Sequence, residues 1–156
     1  TYRNQPGLRV CPLGCTATNV NTLLQNNPDR VIWVEGNLTV DTDIGTPPVN
    51  PAPDSGTPVL LIVNGHTLTM NPDRVIYGFV YITGNGAAVA DESTIAIAGG
   101  SPQIKGALIA EGTLKTTAAS GQLTVTYMPV ALDRLRMRYG SWVRLGAAWR
   151  DFKVAP

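Results

Sequence analysis

Few residues in this chain are equipped for chemistry, and their spacing limits what they could do. Glu35 and Glu111 each stand directly before a glycine, Gly36 and Gly112, at corresponding corners of β-type runs. Paired carboxylates can act as general acid and base on a glycosidic bond. The two equivalent positions between them hold Asn64 and Thr83, so the acids are far apart in the pattern and need not meet. His66 is the only histidine. It follows Gly65, a place that suits a solvated or backbone-bonded ring beside a turn better than a proton shuttle. No G-x-S-x-G motif, phosphate loop or His-Glu metal signature occurs, so no catalytic, cofactor or metal residues are expected.

Cys11-Pro-Leu-Gly-Cys15 holds the only two cysteines. Three residues intervene, so the C-x-x-C spacing of redox catalysts is absent. Without neighbouring His or acidic groups, two cysteines cannot complete a tetrahedral metal site. A small disulfide loop joining Cys11 and Cys15 is the leading reading and implies an oxidising compartment; two reduced, partly buried thiols are the alternative. Asp41-Thr-Asp43-Ile-Gly45 has the start of a calcium loop but lacks its third ligand and terminal Glu. Asn27-Pro-Asp-Arg-Val-Ile32 recurs word for word as Asn71-Pro-Asp-Arg-Val-Ile76. Asn-Pro-Asp is turn chemistry, so a repeated corner leading into a strand is expected, with a paired ligand site at Asp29 and Asp73 as the alternative.

Charge is concentrated at one end. Residues 1–129 carry 6 basic and 9 acidic groups, whereas residues 130–156 carry 6 basic and 2 acidic groups. In that end Arg134, Arg136, Arg138, Arg144 and Arg150 interleave with Trp142 and Trp149. Arginine with aromatic rings can hold a nucleic-acid backbone by charge and stacking, or a protein partner by salt bridges. The alternative is a tail merely solvated by its arginines.

The elements that must position these groups follow a repeat. Ile76-x-Gly78-Phe79-Val80-x-Ile82-x-Gly84 matches Ile104-x-Gly106-Ala107-Leu108-x-Ala110-x-Gly112 at an offset of 28 residues. A shorter element recurs as Leu38-Thr39-Val40, Leu68-Thr69-Met70, Ile95-Ala96-Ile97 and Leu123-Thr124-Val125. Periods of this length belong to stacked architectures in which neighbouring units share one core. The pattern predicts an all-β fold: a short, single-stranded, right-handed β-solenoid of about four coils, with Val34, Val63, Ile82 and Ala110 stacked inside and Gly36, Gly65, Gly84 and Gly112 at its corners. A β-sandwich of similar strands is the competing arrangement.

Composition agrees with a turn-rich β domain. Only 15% of residues are charged, and Gly and Pro together supply 28 of 156. The length fits one domain over 1–156. Residues 1–30 read as an N-terminal cap with a short helical turn at 18–26 capped by Thr18 or Asn19. Residues 31–128 are the solenoid, interrupted by a loop at 41–58 with five prolines and a smaller excursion at 85–93. Residues 59–63 are apolar throughout, as in a strand buried on both faces. Residues 129–156 form an amphipathic helix, with Leu132, Leu135 and Tyr139 on one face and Gly140 as its stop, followed by a tail. The chain opens at Thr1 without methionine, which fits a fragment of a longer protein.

Val-Ile-Trp-Val-Glu-Gly-Asn-Leu-Thr-Val (31–40), the Pro-Val-Leu-Leu-Ile-Val-Asn-Gly and Ile-Lys-Gly-Ala-Leu-Ile-Ala-Glu-Gly runs, Leu-Asp-Arg-Leu-Arg and the terminal Ala-Trp-Arg-Asp-Phe are similar to the C-terminal region of PilX-type type IV pilus assembly proteins. The resemblance covers about residues 30 to 153, and departs at Ala148, where serine is expected. It implies a non-catalytic, extracytoplasmic minor-pilin domain acting in pilus priming, assembly or adhesion. An N-terminal membrane-spanning pilin helix would lie upstream, and other pilins, DNA or a surface glycan would be partners. The alternative function is a β-helix that binds or cleaves carbohydrate.

Overall fold

The computed structural model describes residues 6–28, 30–49, 55–86 and 91–139. Along the chain lie β1 (Leu8–Cys11), α1 (Ala17–Asn26), β2 (Val31–Val34), β3 (Leu38–Val40), β4 (Val59–Val63), β5 (Thr67–Met70), β6 (Val75–Ile82), β7 (Glu92–Ile97), β8 (Gln103–Ala110), β9 (Thr113–Ala118), β10 (Thr124–Tyr127) and α2 (Pro129–Tyr139). A six-stranded sheet runs β1-β2-β4-β6-β8-β10 and a four-stranded sheet runs β3-β5-β7-β9. Every ladder between these strands is parallel.

This corrects the expected fold class. The described residues form an α/β fold, with two separate parallel sheets and two helices, and not an all-β single-stranded solenoid of about four coils. Hydrophobic spacing alone read each apolar run as one more coil. It could not show that β1 precedes β2 in the larger sheet, or that α1 lies between them.

The 28-residue offset is nonetheless a pairing register. Ile76 faces Ile104, Gly78 faces Gly106 and Ile82 faces Ala110. Val34 faces Val63, which faces Ile82, so the expected row of inward residues exists. Its first three members are fully buried, whereas Ala110 is half-buried. In the smaller sheet Leu38, Leu68 and Ile95 form another fully buried row. Such a side chain contributes about 1.5–3 kcal/mol by leaving water.

Three local expectations change. Leu123-Thr124-Val125 is not the fourth member of the short repeat: Val125 pairs with Ile104 in the larger sheet, and Thr116 in β9 pairs with Ile95 in the smaller one. The two Asn-Pro-Asp-Arg-Val-Ile strings are not equivalent either. Ile32 faces Leu61 and Leu61 faces Val80, so Ile76 stands four residues off the register of Ile32. Strand β4 is not buried on both faces, since Val59, Leu61 and Val63 point inward while Leu60 and Ile62 are half-buried.

Helix α1 starts at Ala17, one residue before the expected 18–26, and its cap is not Thr18 or Asn19. Thr16 is its N-cap, Asn19 accepts from the Thr16 N–H in return, and Ala17, Val20 and Leu24 are buried. Part of the proline-rich loop is built into the body. Ile44 is fully buried and bridges to Ile76, and Thr46 bridges to Thr57. At the opposite end β9 and β10 are exposed along their whole length. Helix α2 then runs back across β6 and β8 with Ala131 and Leu135 buried. Of its expected apolar face, Leu132 is half-buried.

Where the long strands stack, backbone contact leaves no room for a side chain. A Cβ on Gly106 (φ 151) would lie 1.9 Å from the Gly78 oxygen, and one on Gly78 (φ 139) would lie 2.0 Å from the Val59 oxygen. Gly14 (φ 80) has the conformational requirement without the crowding. Gly106→Ala should therefore cost about 3 kcal/mol or more and Gly14→Ala about 1 kcal/mol in urea unfolding. Equal losses would show that backbone approach in the sheet does not decide stability.

Candidate functional site

The corner after β6 gathers the most chemically capable side chains. Register carries Glu35, Asn64, Thr83 and Glu111 into one row, each following a member of the inward row. Adjacent strands lie about 4.8 Å apart, so Glu35 and Glu111, three strands apart, are separated by about 14 Å at the backbone. Glycosidase pairs need about 5–9.5 Å between carboxyl groups. The structure thus does not bring these two acids together.

Glu111 instead meets β6. The Tyr81 hydroxyl donates to one carboxylate oxygen, and the Gly84 N–H donates to the other at 2.9 Å. Tyr81 stands on the outward face of β6, two residues before Thr83, which is why its ring reaches a side chain from the next rung. The hydrogen bond from Tyr81, with that from Gly84, holds the Glu111 carboxyl below the ordinary glutamate range; nearby His66 adds to this and partial burial opposes it. The same hydrogen bond, aided by burial and by the charges of Glu111 and Asp91, pushes the Tyr81 hydroxyl up to about 12. A carboxylate held ionised is a poor proton donor, and a phenol held neutral is a poor nucleophile. This corner suits binding and bracing.

His66 (φ 67) lies beside it, with Nδ1 3.3 Å from the Thr83 hydroxyl and 3.4 Å from the Thr83 carbonyl oxygen. The ring is backbone-bonded, as its place after Gly65 suggested. Asp91 accepts from the Gly86 N–H at 2.8 Å, and its carbonyl accepts from Thr113 at 2.7 Å. Asp73 accepts from the Ser101 N–H at 2.9 Å, while Asp29 lies outside the described residues. Asp43 accepts from the Val75 N–H at 3.0 Å and stands 4.0 Å from Arg74, so it braces the start of β6. Among the described residues no cluster of three or more His, Cys, Asp or Glu could hold a metal ion.

The arginine set divides. Arg138 donates to the carbonyls of Pro28 and Gly56 at 3.4 and 3.3 Å, tying the end of α2 to the segments before β2 and β4. Arg134, one turn earlier, is half-buried, and Arg136 is exposed. The helix therefore does not present all three as one basic stripe. Trp142, Arg144, Trp149 and Arg150 lie outside the described residues, as does the terminal motif at 148–152. Cys11 and Cys15 are joined, with Cα atoms 5.6 Å apart, and both lie in the core. Sequence reasoning missed Tyr81 and Asp91. A tyrosine two residues before the corner was visible, but its partner was 30 positions away.

No family model, curated protein or solved structure matches the chain. Among the described residues no helix is long and apolar enough to cross a membrane.

Two outcomes follow. Because the folded pKa of Tyr81 is raised, its contribution is present below about pH 10 and declines as pH rises toward about 12. The folded pKa of Glu111 is lowered, so its contribution is present above the ordinary glutamate range and declines as pH falls through the depressed value. Tyr81→Phe should remove the late-titrating phenol from a tyrosinate absorbance titration and flatten both limbs of the stability profile. Loss of a phenol that titrates at the ordinary value of about 10 instead would show that Glu111 does not hold the Tyr81 hydroxyl. Reducing the Cys11–Cys15 bond should lower stability by about 2 kcal/mol, the loop-closure value for so short a loop, as a fall in the urea midpoint. No fall would leave the bond without a stabilising role.

Proposed function

We propose that this chain is a non-catalytic, extracytoplasmic interaction domain of a minor-pilin-like protein, acting in assembly or priming of a type IV pilus. The non-catalytic part rests on one observation: both carboxylate oxygens of Glu111 are occupied by Tyr81 and Gly84. The separation from Glu35 agrees with that reading. The core disulfide supports an oxidising compartment. The pilus itself is carried by the resemblance in the repeat and in the Leu132–Arg136 helix.

An interaction role also draws support from the outward face of the larger sheet. Val10, Trp33, Ile62, Tyr81 and Ile109 stand side by side in one row, and Ile109 is 47% exposed. The other four are half-buried, and an apolar row that reaches the surface at Ile109 supports a contact region there. DNA capture is the weaker form of the proposal, because Arg138 is already committed to the body.

The test is retention of an epitope-tagged full-length protein in sheared, purified pilus fractions, compared with a chain truncated after Met128. Co-purification that depends on residues 129–156 is the expected result. Absence of both forms from pili would overturn the pilus reading, and equal retention of both would remove α2 and the tail from the docking surface.

A further inference from the structure

We propose that the groove between α1 and the loop after β3 binds a neutral carbohydrate, with one sugar ring stacked on Tyr77. The groove has a volume of about 380 Å³, and its lining includes Asn21, Gln25, Asp43, Thr46, Thr57 and Tyr77. That volume falls within the range of about 300–1,000 Å³ typical of small-ligand sites. Amide and hydroxyl groups dominate its polar wall. The one acid in that lining, Asp43, already accepts from the Val75 N–H and faces Arg74, and among the described residues no basic side chain lines the groove. Such a wall matches a ligand rich in hydroxyl groups and without net charge, since amides and hydroxyls can both donate and accept.

Tyr77 supplies the stacking surface. On the β8 side Lys105, its partner in register, places its ammonium 5.5 Å from the ring centroid. On the other side the parallel bridge is made by Ile44, so the next residue beside Tyr77 is Gly45. Glycine there brings no side chain over the ring. Lys105 thus lies over the ring from the β8 side, and the proposed sugar stacks on the opposite face, toward the groove that Tyr77 lines. The C–H face of a sugar ring complements the negative face of an aromatic ring.

The wall is also held in place before any ligand arrives. The Asn21 amide donates to the Asp43 carbonyl at 2.7 Å and accepts from the Gly45 N–H at 3.0 Å. Thr46 and Thr57 join across the loop through their hydroxyls at 3.0 Å. A preorganised wall spares the ligand the cost of ordering it. Exposed Gln25 stands at the rim, on the last turn of α1. The proposal rests on the non-catalytic reading, in which the sugar is held and not cleaved.

Ligand-observed saturation-transfer NMR on the full chain, with cello-, xylo-, chito- and galacto-oligosaccharides as probes, tests it. Transfer to the ring C–H protons of at least one probe is expected. Tyr77→Ala should weaken binding by roughly tenfold, the equivalent of one lost stacking contact. Tyr77→Phe should retain it, and Gln25→Ala, at an exposed position, should weaken it while leaving the thermal midpoint unchanged. Silence from every probe, or binding that Tyr77→Ala and Gln25→Ala both leave intact, would overturn the groove and leave the non-catalytic reading standing. Cleavage products in the same spectra would overturn that reading, while Tyr77-dependent transfer would still support the groove.

Discussion

Parallel pairing, between strands two apart in the chain everywhere but at β1 and β2, is the constraint on which this structure depends. Each strand of the larger sheet hydrogen-bonds in parallel to its neighbour, so side chains alternate in and out in the same phase from rung to rung. A one-residue slip would turn Ile76, Val80 and Ile82 outward and put Tyr77, Phe79 and Tyr81 in the core. The stacked glycines 78 and 106 permit a close approach that a Cβ at either position would block.

That register also explains the chemistry of the corner. The corner row carries one residue type per rung, so an acid on one rung meets whatever its neighbour presents. Glu111 meets Tyr81 and the Gly84 N–H, and each partner moves the titration of the other away from neutrality. Corner acids three rungs apart stay apart, because the strand spacing does not compress. Along the corner row the register spaces the two acids over a surface and does not bring them to one point.

The two helices close the body differently. Helix α1 buries Ala17, Val20 and Leu24 in the core, and Asn21 on its outer side grips the loop at Asp43 and Gly45. Helix α2 crosses β6 and β8 and is pinned by Arg138 to carbonyls more than 80 positions away in sequence. Its arginines are therefore partly structural. The groove beside Tyr77 exists because the loop after β3 turns back as Ile44 to continue the pairing and then leaves at a glycine.

Much was legible in the sequence because it is written locally. The 28-residue offset marks a true register, the inward row of Val34, Val63 and Ile82 was identifiable from alternation, and Cys11 and Cys15 were close enough in sequence to be paired on sight. The helix after Pro129 and the place of His66 beside a turn were equally local. Division into two sheets, the placement of Leu123–Val125, and the inequivalence of the two Asn-Pro-Asp-Arg-Val-Ile strings were decided only by tertiary pairing. Identical words carry identical turn propensity, but register is set by which strand lies alongside. The same reason hid the Tyr81–Glu111 pair and the groove at Tyr77, since each joins residues whose proximity depends on how rungs stack and not on their spacing along the chain.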